Sequence, residues 1–279
     1  MSQQQEEMSF WDHLEALRWT LFRSVIVLII FTITGFAFMH EIFDAVILAP
    51  TRSDFILYRV LCELTTAIPF LDDFCDENFH VHIFNVKLVS PFFISLSTSF
   101  WLALLITFPY LVFEVWKFVS PALYDYEKKN VRWAFFFGTI MFFVGCAVSY
   151  FFVFPMTLRF LATVHISDAI ENQSSLESYI DMFIMLIFIM GIVFEMPLVS
   201  WLLSKLGLLT RAFFNKYRRY AIVGLLVAAA FITPSSDPFT LGCVFFPLYG
   251  LYELSAFFVK KAPKNDDDTG AEIVKYDES

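Results

Sequence analysis

The chain alternates long apolar runs with shorter polar links. Residues 1–8 are polar and expected to be disordered. Phe10, Leu14, Leu17 and Leu21 then recur at helical spacing, with Ser9 and Asp12 as a capping pair. This predicts an amphipathic surface helix over Phe10–Arg18. Trp11 and Trp19 suit a membrane–water interface at its ends. Runs long enough to cross a bilayer follow at about residues 19–39, 91–118, 132–155 and 180–206. Pro109 and Pro197 are expected to kink the second and fourth. Residues 40–90 make too long a link to be structureless and should hold short helices. Two further runs, 220–232 and 239–259, flank the turn Thr233-Pro234-Ser235-Ser236-Asp237-Pro238. As a helix, the first of these reaches about 20 Å, short of the roughly 30 Å hydrocarbon core. Either Arg218 and Arg219 snorkel to complete an ordinary span, or the pair is a short hairpin that thins the bilayer. The expected fold class is an all-α integral membrane protein. Residues 1–259 form a six-span domain, and 260–279 form a charged tail expected to be disordered.

The fourth run contains an anomaly. Glu195 stands near its centre, where an ionisable group costs roughly 2.5–3.5 kcal/mol on insertion scales. A structural carboxyl, protonated or bonded inside the bundle, is one reading. An ion path, a substrate groove or a partner-docking surface is the other.

Composition strengthens the membrane assignment. Of 279 residues 58% are hydrophobic, 37 are Phe and the mean hydropathy is +0.65; soluble domains are about 45–50% apolar. The net charge of −9 argues against nucleic acid as a partner. The distribution of positive charge sets orientation. If the N-terminus is inside, the inner segments hold Arg18, Lys117, Lys128, Lys129, Arg132, Lys205, Arg211, Lys216, Arg218 and Arg219, besides the lysines of the tail. The outer segments hold only Arg52, Arg59, Lys87 and Arg159. Both termini are therefore expected in the cytoplasm. No cleavable signal peptide is visible, so the first apolar run is expected to stay in place.

Four cysteines divide into two kinds. Cys146 and Cys243 fall within apolar runs and act as small apolar residues. Cys62 and Cys75 share the long outer link, where an oxidising compartment permits a disulfide; two free thiols are the alternative. Cys75, His80 and His82 make only a weak metal-ligand set. There is no phosphate-binding Gly-rich loop, no His-Glu-x-x-His and no serine between glycines. Neither an enzyme nor a cofactor is expected.

What remains is a set of carboxylates: Glu15, Glu114, Asp125, Glu127, Glu195 and Glu253. Each has an ordinary explanation. Glu114 can pair with Lys117 a turn away, Glu127 with Lys128 or Arg132, and Glu253 can bond internally. Taken together, those on the inner side could receive a basic ligand. Carboxylate–guanidinium pairing is bidentate and directional, which suits recognition of arginine.

The motifs resemble one family in their joint order. His13-Leu14-Glu15-Ala16-Leu17-Arg18 is similar to the N-terminal His-Leu-x-Glu-Leu-Arg of TatC, the receptor subunit of the twin-arginine protein translocase. Pro109, then Val115-Trp116-Lys117-Phe118-Val119-Ser120-Pro121-Ala122-Leu123-Tyr124 and Glu127, resemble its second span and first inner loop. Tyr150-Phe151 with Phe154-Pro155, Phe194-Glu195 with Pro197, Arg218-Arg219-Tyr220, and Thr233-Pro234 with Asp237 follow in the family's order. The resemblance implies a concave, glove-like bundle of six helices, the fifth and sixth short. It implies binding of twin-arginine signal peptides of folded cargo, then assembly with single-span TatA/TatB-type subunits and other TatC copies in the lipid bilayer of the cell (inner) membrane, driven by the proton-motive force. Carried over by residue, signal binding falls to Glu127, Phe118 and Glu15, although the family's N-terminal acid aligns with Ala16. Glu195 is the family's buried glutamate. Partner docking near the outer turn falls to Thr233 and Thr240, because Leu241 stands where the family often has Gln. The rival function is a proton-coupled small-solute transporter using Glu195. It predicts inverted repeats, and none is visible.

Overall fold

The structure, a computed structural model, describes residues 10–65, 81, 83–119, 125–163, 174–205, 207–233 and 237–259. It is mostly helical. Helix α1 spans Phe10–Ala37, α2 Met39–Ile42, α3 Ile56–Thr65, α4 Ser90–Val119 and α5 Asp125–Val148. Helix α6 spans Phe154–Thr163, α7 Leu176–Val193, α8 Met196–Lys205, α9 Arg211–Ile232 and α10 Pro238–Phe258. Among the described residues five helical stretches are long and apolar enough to cross a membrane: Leu14–Ala37, Ser90–Phe118, Arg132–Thr163, Leu176–Lys205 and Pro238–Phe258. The chain is a multi-pass membrane protein.

Several expectations change in detail. The amphipathic helix and the first span are one continuous helix, α1. The third stretch does not end at Pro155. A π-helical turn, Ser149–Val153, joins α5 to α6, and the helix runs on to Thr163. Pro155, the second residue of α6, follows that turn directly; it has no N–H to give the ladder, and the wider π turn before it accommodates its ring. The fourth stretch is broken at Phe194-Glu195, between α7 and α8. Pro197 enters the first turn of α8; it cannot bond back to Val193, so the ladder parts there. Helix α4 passes through Pro109 without interruption.

The expected fifth span, 220–232, is the second half of a longer helix. Helix α9 starts nine residues earlier, at Arg211, capped by the Thr210 side chain. Its first half (Arg211, Lys216, Arg218, Arg219) is polar, and α9 is not among the five apolar stretches. The long link after α1 does hold short helices: α2, a π turn at Phe43–Ile47, a 3-10 turn at Ala49–Thr51, and α3. One feature was not foreseen. A two-residue parallel pair joins β1 (Ile83–Phe84) to β2 (Ser174–Ser175), and Lys87 bonds Glu177 beside it at 2.9 Å.

Helices adjacent in the chain run antiparallel where their paired residues show it. Phe108 stacks on Phe142, and Trp116 meets Phe135, between α4 and α5. Phe154 meets both Tyr179 and Phe183 where α6 passes α7. The α5–α7 contact is close. A Cβ on Gly145 would lie 2.7 Å from the Met190 carbonyl, and one on Gly191 2.7 Å from the Cys146 sulfur. Only glycine admits that approach. Tyr58, Tyr150 and Tyr179 tie the link after α1 to this core. The Tyr58 hydroxyl lies 3.1 Å from both the Pro50 and Pro155 carbonyls. Tyr150 donates to the Val46 carbonyl, and Tyr179 to that of Ile47. Arg159, almost wholly buried, lies 5.1 Å over the Tyr58 ring, and burial pushes the Tyr58 phenol up.

Candidate functional site

Antiparallel packing gathers one end of several helices. The beginning of α1 carries Glu15, the end of α4 carries Phe118, and the beginning of α5 carries Glu127. Glu15 is exposed, whereas Ala16 beside it is half-buried. Position 16 thus faces α4, and Glu15 lies on the flank. Phe118 is half-buried one residue before the end of α4. Glu127 sits in the first turn of α5, and its side chain lies outside the described residues.

Just inside this end is a charged cluster that sequence reasoning missed. Glu114 is 3% exposed on α4. Its Oε2 accepts from Arg23 Nη2 on α1 at 3.1 Å, and its Oε1 accepts from the Tyr110 hydroxyl at 3.0 Å. The expected partner was Lys117, on the same helix. Arg23 is the one that reaches it, 91 residues away in the chain. An arginine set inside an apolar run was the signal available. At the same end Arg218 Nε donates to the Tyr249 hydroxyl at 3.1 Å, and its Nη2 forms an ion pair with Glu253 Oε1 at 2.6 Å, joining α9 to α10. Glu253 therefore has the internal partner expected of it.

Glu195 occupies the joint between α7 and α8. Its N–H donates to the Ile192 carbonyl, and its own carbonyl accepts from Val199. The side chain lies against α5 where that helix has no side chain: a Cβ on Gly138 would stand 2.8 Å from Glu195 Oε2. The other oxygen, Oε1, is buried and has no hydrogen-bond partner among the described residues. An acceptor left like this costs about 1–3 kcal/mol, more if charged. It is an opening for a donor that the described residues do not supply.

Thr233 and Thr240 lie at the opposite end, flanking the turn between α9 and α10. The structure does not bring them to Glu195. Both are buried. The Thr233 hydroxyl donates back to the Ala229 carbonyl at 3.0 Å. The backbone N–H of Thr240 donates to Asp237 Oδ2, capping α10, while its hydroxyl is buried without a partner among the described residues. Leu241, next to it, is half-buried. Cys62 on α3 is disulfide-bonded; Cys75, its expected partner, lies outside the described residues, as do His80 and His82. Cys146 and Cys243 are free thiols. An apolar cavity of about 290 Å³ between α4, α5 and α7, lined by Trp101, Cys146 and Phe188, touches none of the expected site residues.

Comparison with known proteins decides the family. The model of the Sec-independent protein translocase protein (TatC) family matches residues 12–247. The chain belongs to the TatC family. A TatC protein of Blattabacterium sp. subsp. Periplaneta americana (strain BPLAN) is 35% identical over 265 residues, covering 94% of this chain and 99% of that protein. The TatC protein of Escherichia coli (strain K12) is 31% identical over 169 residues, covering 61% of this chain and 65% of that one. Two crystal structures of the twin-arginine translocase receptor TatC, one in the detergent DDM, superpose with TM-scores of 0.64 and 0.66. Their identities are 27% and 28%; each covers 88% of this chain, and the match takes in 97% and 98% of their own lengths. As a TatC protein this chain is a component of a protein translocase, which is a transport role and not a catalytic one. The match does not favour a small-solute transporter.

Proposed function

We propose that this protein is the signal-peptide receptor of a twin-arginine translocase. Its signal-binding surface is the end of the bundle that carries Glu15, Phe118 and Glu127, facing the cytoplasm with both termini. Glu127, and Glu15 from the flank of α1, pair with the two arginines of the signal, and Phe118 packs against its apolar residues. The pairing is charge-assisted and bidentate, so lysine is a poor substitute. The observation that supports this most is the convergence of α1, α4 and α5 at one end.

The later step uses other residues. Glu195 Oε1 and the Thr240 hydroxyl are buried acceptors without partners among the described residues, and they suit polar groups of single-span TatA/TatB-type subunits. Thr233 is a weaker candidate, because its hydroxyl is already committed within α9. Other TatC copies and the surrounding lipid complete the assembly, six helices cup the site, and the proton-motive force drives transport across the inner membrane.

The test is binding of a synthetic peptide bearing an Arg-Arg pair to the full-length protein. Lys-Lys in the peptide and Glu127→Ala in the protein should each weaken binding, whereas Glu195→Ala should spare it and impair assembly. Binding indifferent to both of the first two changes overturns the receptor reading.

A further inference from the structure

Helix α1 is held differently from every other long apolar helix in the molecule. None of the residues in its membrane-crossing window is buried, and it packs chiefly against α4. Its half-buried positions, among them Ala16, Thr20, Arg23, Ser24, Val27 and Leu28, form one narrow stripe along that contact. Most of the stripe is small or aliphatic. Such a contact resists separation but does little to fix rotation about the helix axis. Serine and threonine bond back to their own helix: Ser24 to Thr20, Thr32 to Leu28, and across the seam Ser99 to Ser95.

Arg23 is the exception. Its guanidinium crosses to Glu114 at 3.1 Å, and Tyr110 holds the other carboxylate oxygen at 3.0 Å. Both oxygens of a 3%-exposed carboxylate are thereby fixed. A directional pair at the edge of an apolar seam has one setting in which its hydrogen bonds are made. Rotating α1 breaks it and strands a buried charge.

The consequence reaches the functional end. Seven residues of helix turn about 700°, so position 16 lies within about 20° of the line through Arg23. Glu15 lies eight residues before Arg23, about 80° off that line. Whatever fixes Arg23 fixes the direction of Glu15, two turns away.

We infer that Arg23, Glu114 and Tyr110 form a rotational clamp, and that Arg23 and Glu114 are positioning residues for signal binding because they set where Glu15 points. The inference rests on the proposed receptor reading for its functional half. The clamp itself does not depend on it.

The experiment uses the full-length protein in lipid nanodiscs, with Cys146 and Cys243 changed to Ala. Spin labels go on exposed Leu14 and Val115, leaving Glu15 and Phe118 intact. The distance distribution between the labels should be narrow in the parent and broad in Arg23→Met and in Glu114→Gln. Arg23→Lys should be intermediate. Tyr110→Phe removes one bond, is the mildest change, and should broaden it least. The affinity for an Arg-Arg peptide should fall with the same ranking, about tenfold for Arg23→Met, a size usual for coupling between sites. An unchanged distribution in Arg23→Met overturns the clamp. A broadened distribution with unchanged affinity, where the parent still discriminates Arg-Arg from Lys-Lys, overturns the positioning role. A parent that does not discriminate the two peptides overturns the receptor reading instead, while the label distances still decide the clamp.

Discussion

The α5–α7 seam and the α1–α4 seam join antiparallel helices by different means. Along α5–α7 the backbones close on one another. Gly145 and Gly191 face Met190, Phe194, Phe142 and Cys146 with no room for a methyl group. In a bilayer no hydrophobic effect drives one apolar helix against another, so close van der Waals packing through small residues must do it. Along α1–α4 the single glycine of the two helices, Gly35, has room to spare. A Cβ on Gly35 would meet Ser99 at 3.8 Å, an ordinary contact, and specificity comes from one charged cluster. The first seam is a rigid frame that can hold an unpartnered carboxylate in place. The second is an attachment with one charged cluster near one end and Phe36 meeting Phe92 edge-on near the other.

Substitutions can break this contrast or sharpen it. The largest effect is expected for Gly145→Val. Its added carbons meet the Met190 carbonyl and the Phe194 ring, and overpacking of this kind typically costs about 1–3 kcal/mol and occasionally more. A clearly lower thermal-unfolding midpoint of the purified protein, or loss of folded protein from membranes, is the expected result. A Gly145→Val protein as stable as the parent would mean that the seam is not close-packed. Next comes Glu114→Ala, which strands Arg23 and the Tyr110 hydroxyl. Breaking a buried pair costs about 3–5 kcal/mol, but Arg23 is 41% exposed and can reach water, so about 1–3 kcal/mol is expected here. The same unfolding assay measures it.

Glu195→Gln should leave stability nearly unchanged or raised, since it keeps the shape of the side chain and removes an ionisable group from a buried site where Oε1 meets no donor among the described residues. Co-purification with single-span partners should suffer while peptide binding does not. A marked loss of stability would instead show that Glu195 is held by something inside the fold. The smallest change is Gly35→Ala. The Cβ fits, and alanine is favoured over glycine within a helix by about 1 kcal/mol. The midpoint should hold or rise slightly. A fall would erase the distinction between the seams.

Much of the fold was legible because bilayer crossing demands long apolar runs, and such runs leave little ambiguity. Four of the five membrane-length stretches match the expected runs closely. The third is longer, because a π turn carries the helix past Pro155. Helix α9 was only half visible: its first turns are basic and amphipathic, so hydropathy starts it too late. The break at Glu195 was legible from Pro197, whose missing N–H acts locally. The charged contacts were less so. Glu114 was assigned to Lys117 because a same-helix partner is the one that spacing can find, whereas Arg23 is set beside it only by folding. Gly138, the seat of the Glu195 carboxylate, carries no pattern at all; an isolated glycine in an apolar helix announces itself only when its neighbour is known.

The π turn at Ser149–Val153 shifts the phase of the helix. A π turn amounts to one extra residue in an α-helix, and one residue is about 100° of rotation. Everything after it is therefore advanced by that angle relative to a helix that continued straight from α5. The frame in which Gly145 and Cys146 face α7 is not the frame in which Leu158 and Arg159 face inward. A chain with a regular helix here would have to choose between the glycine seam and the stack of Arg159 on Tyr58. The inserted residue lets one continuous rod keep two registers, the first set by the membrane-spanning core and the second by the cap above it.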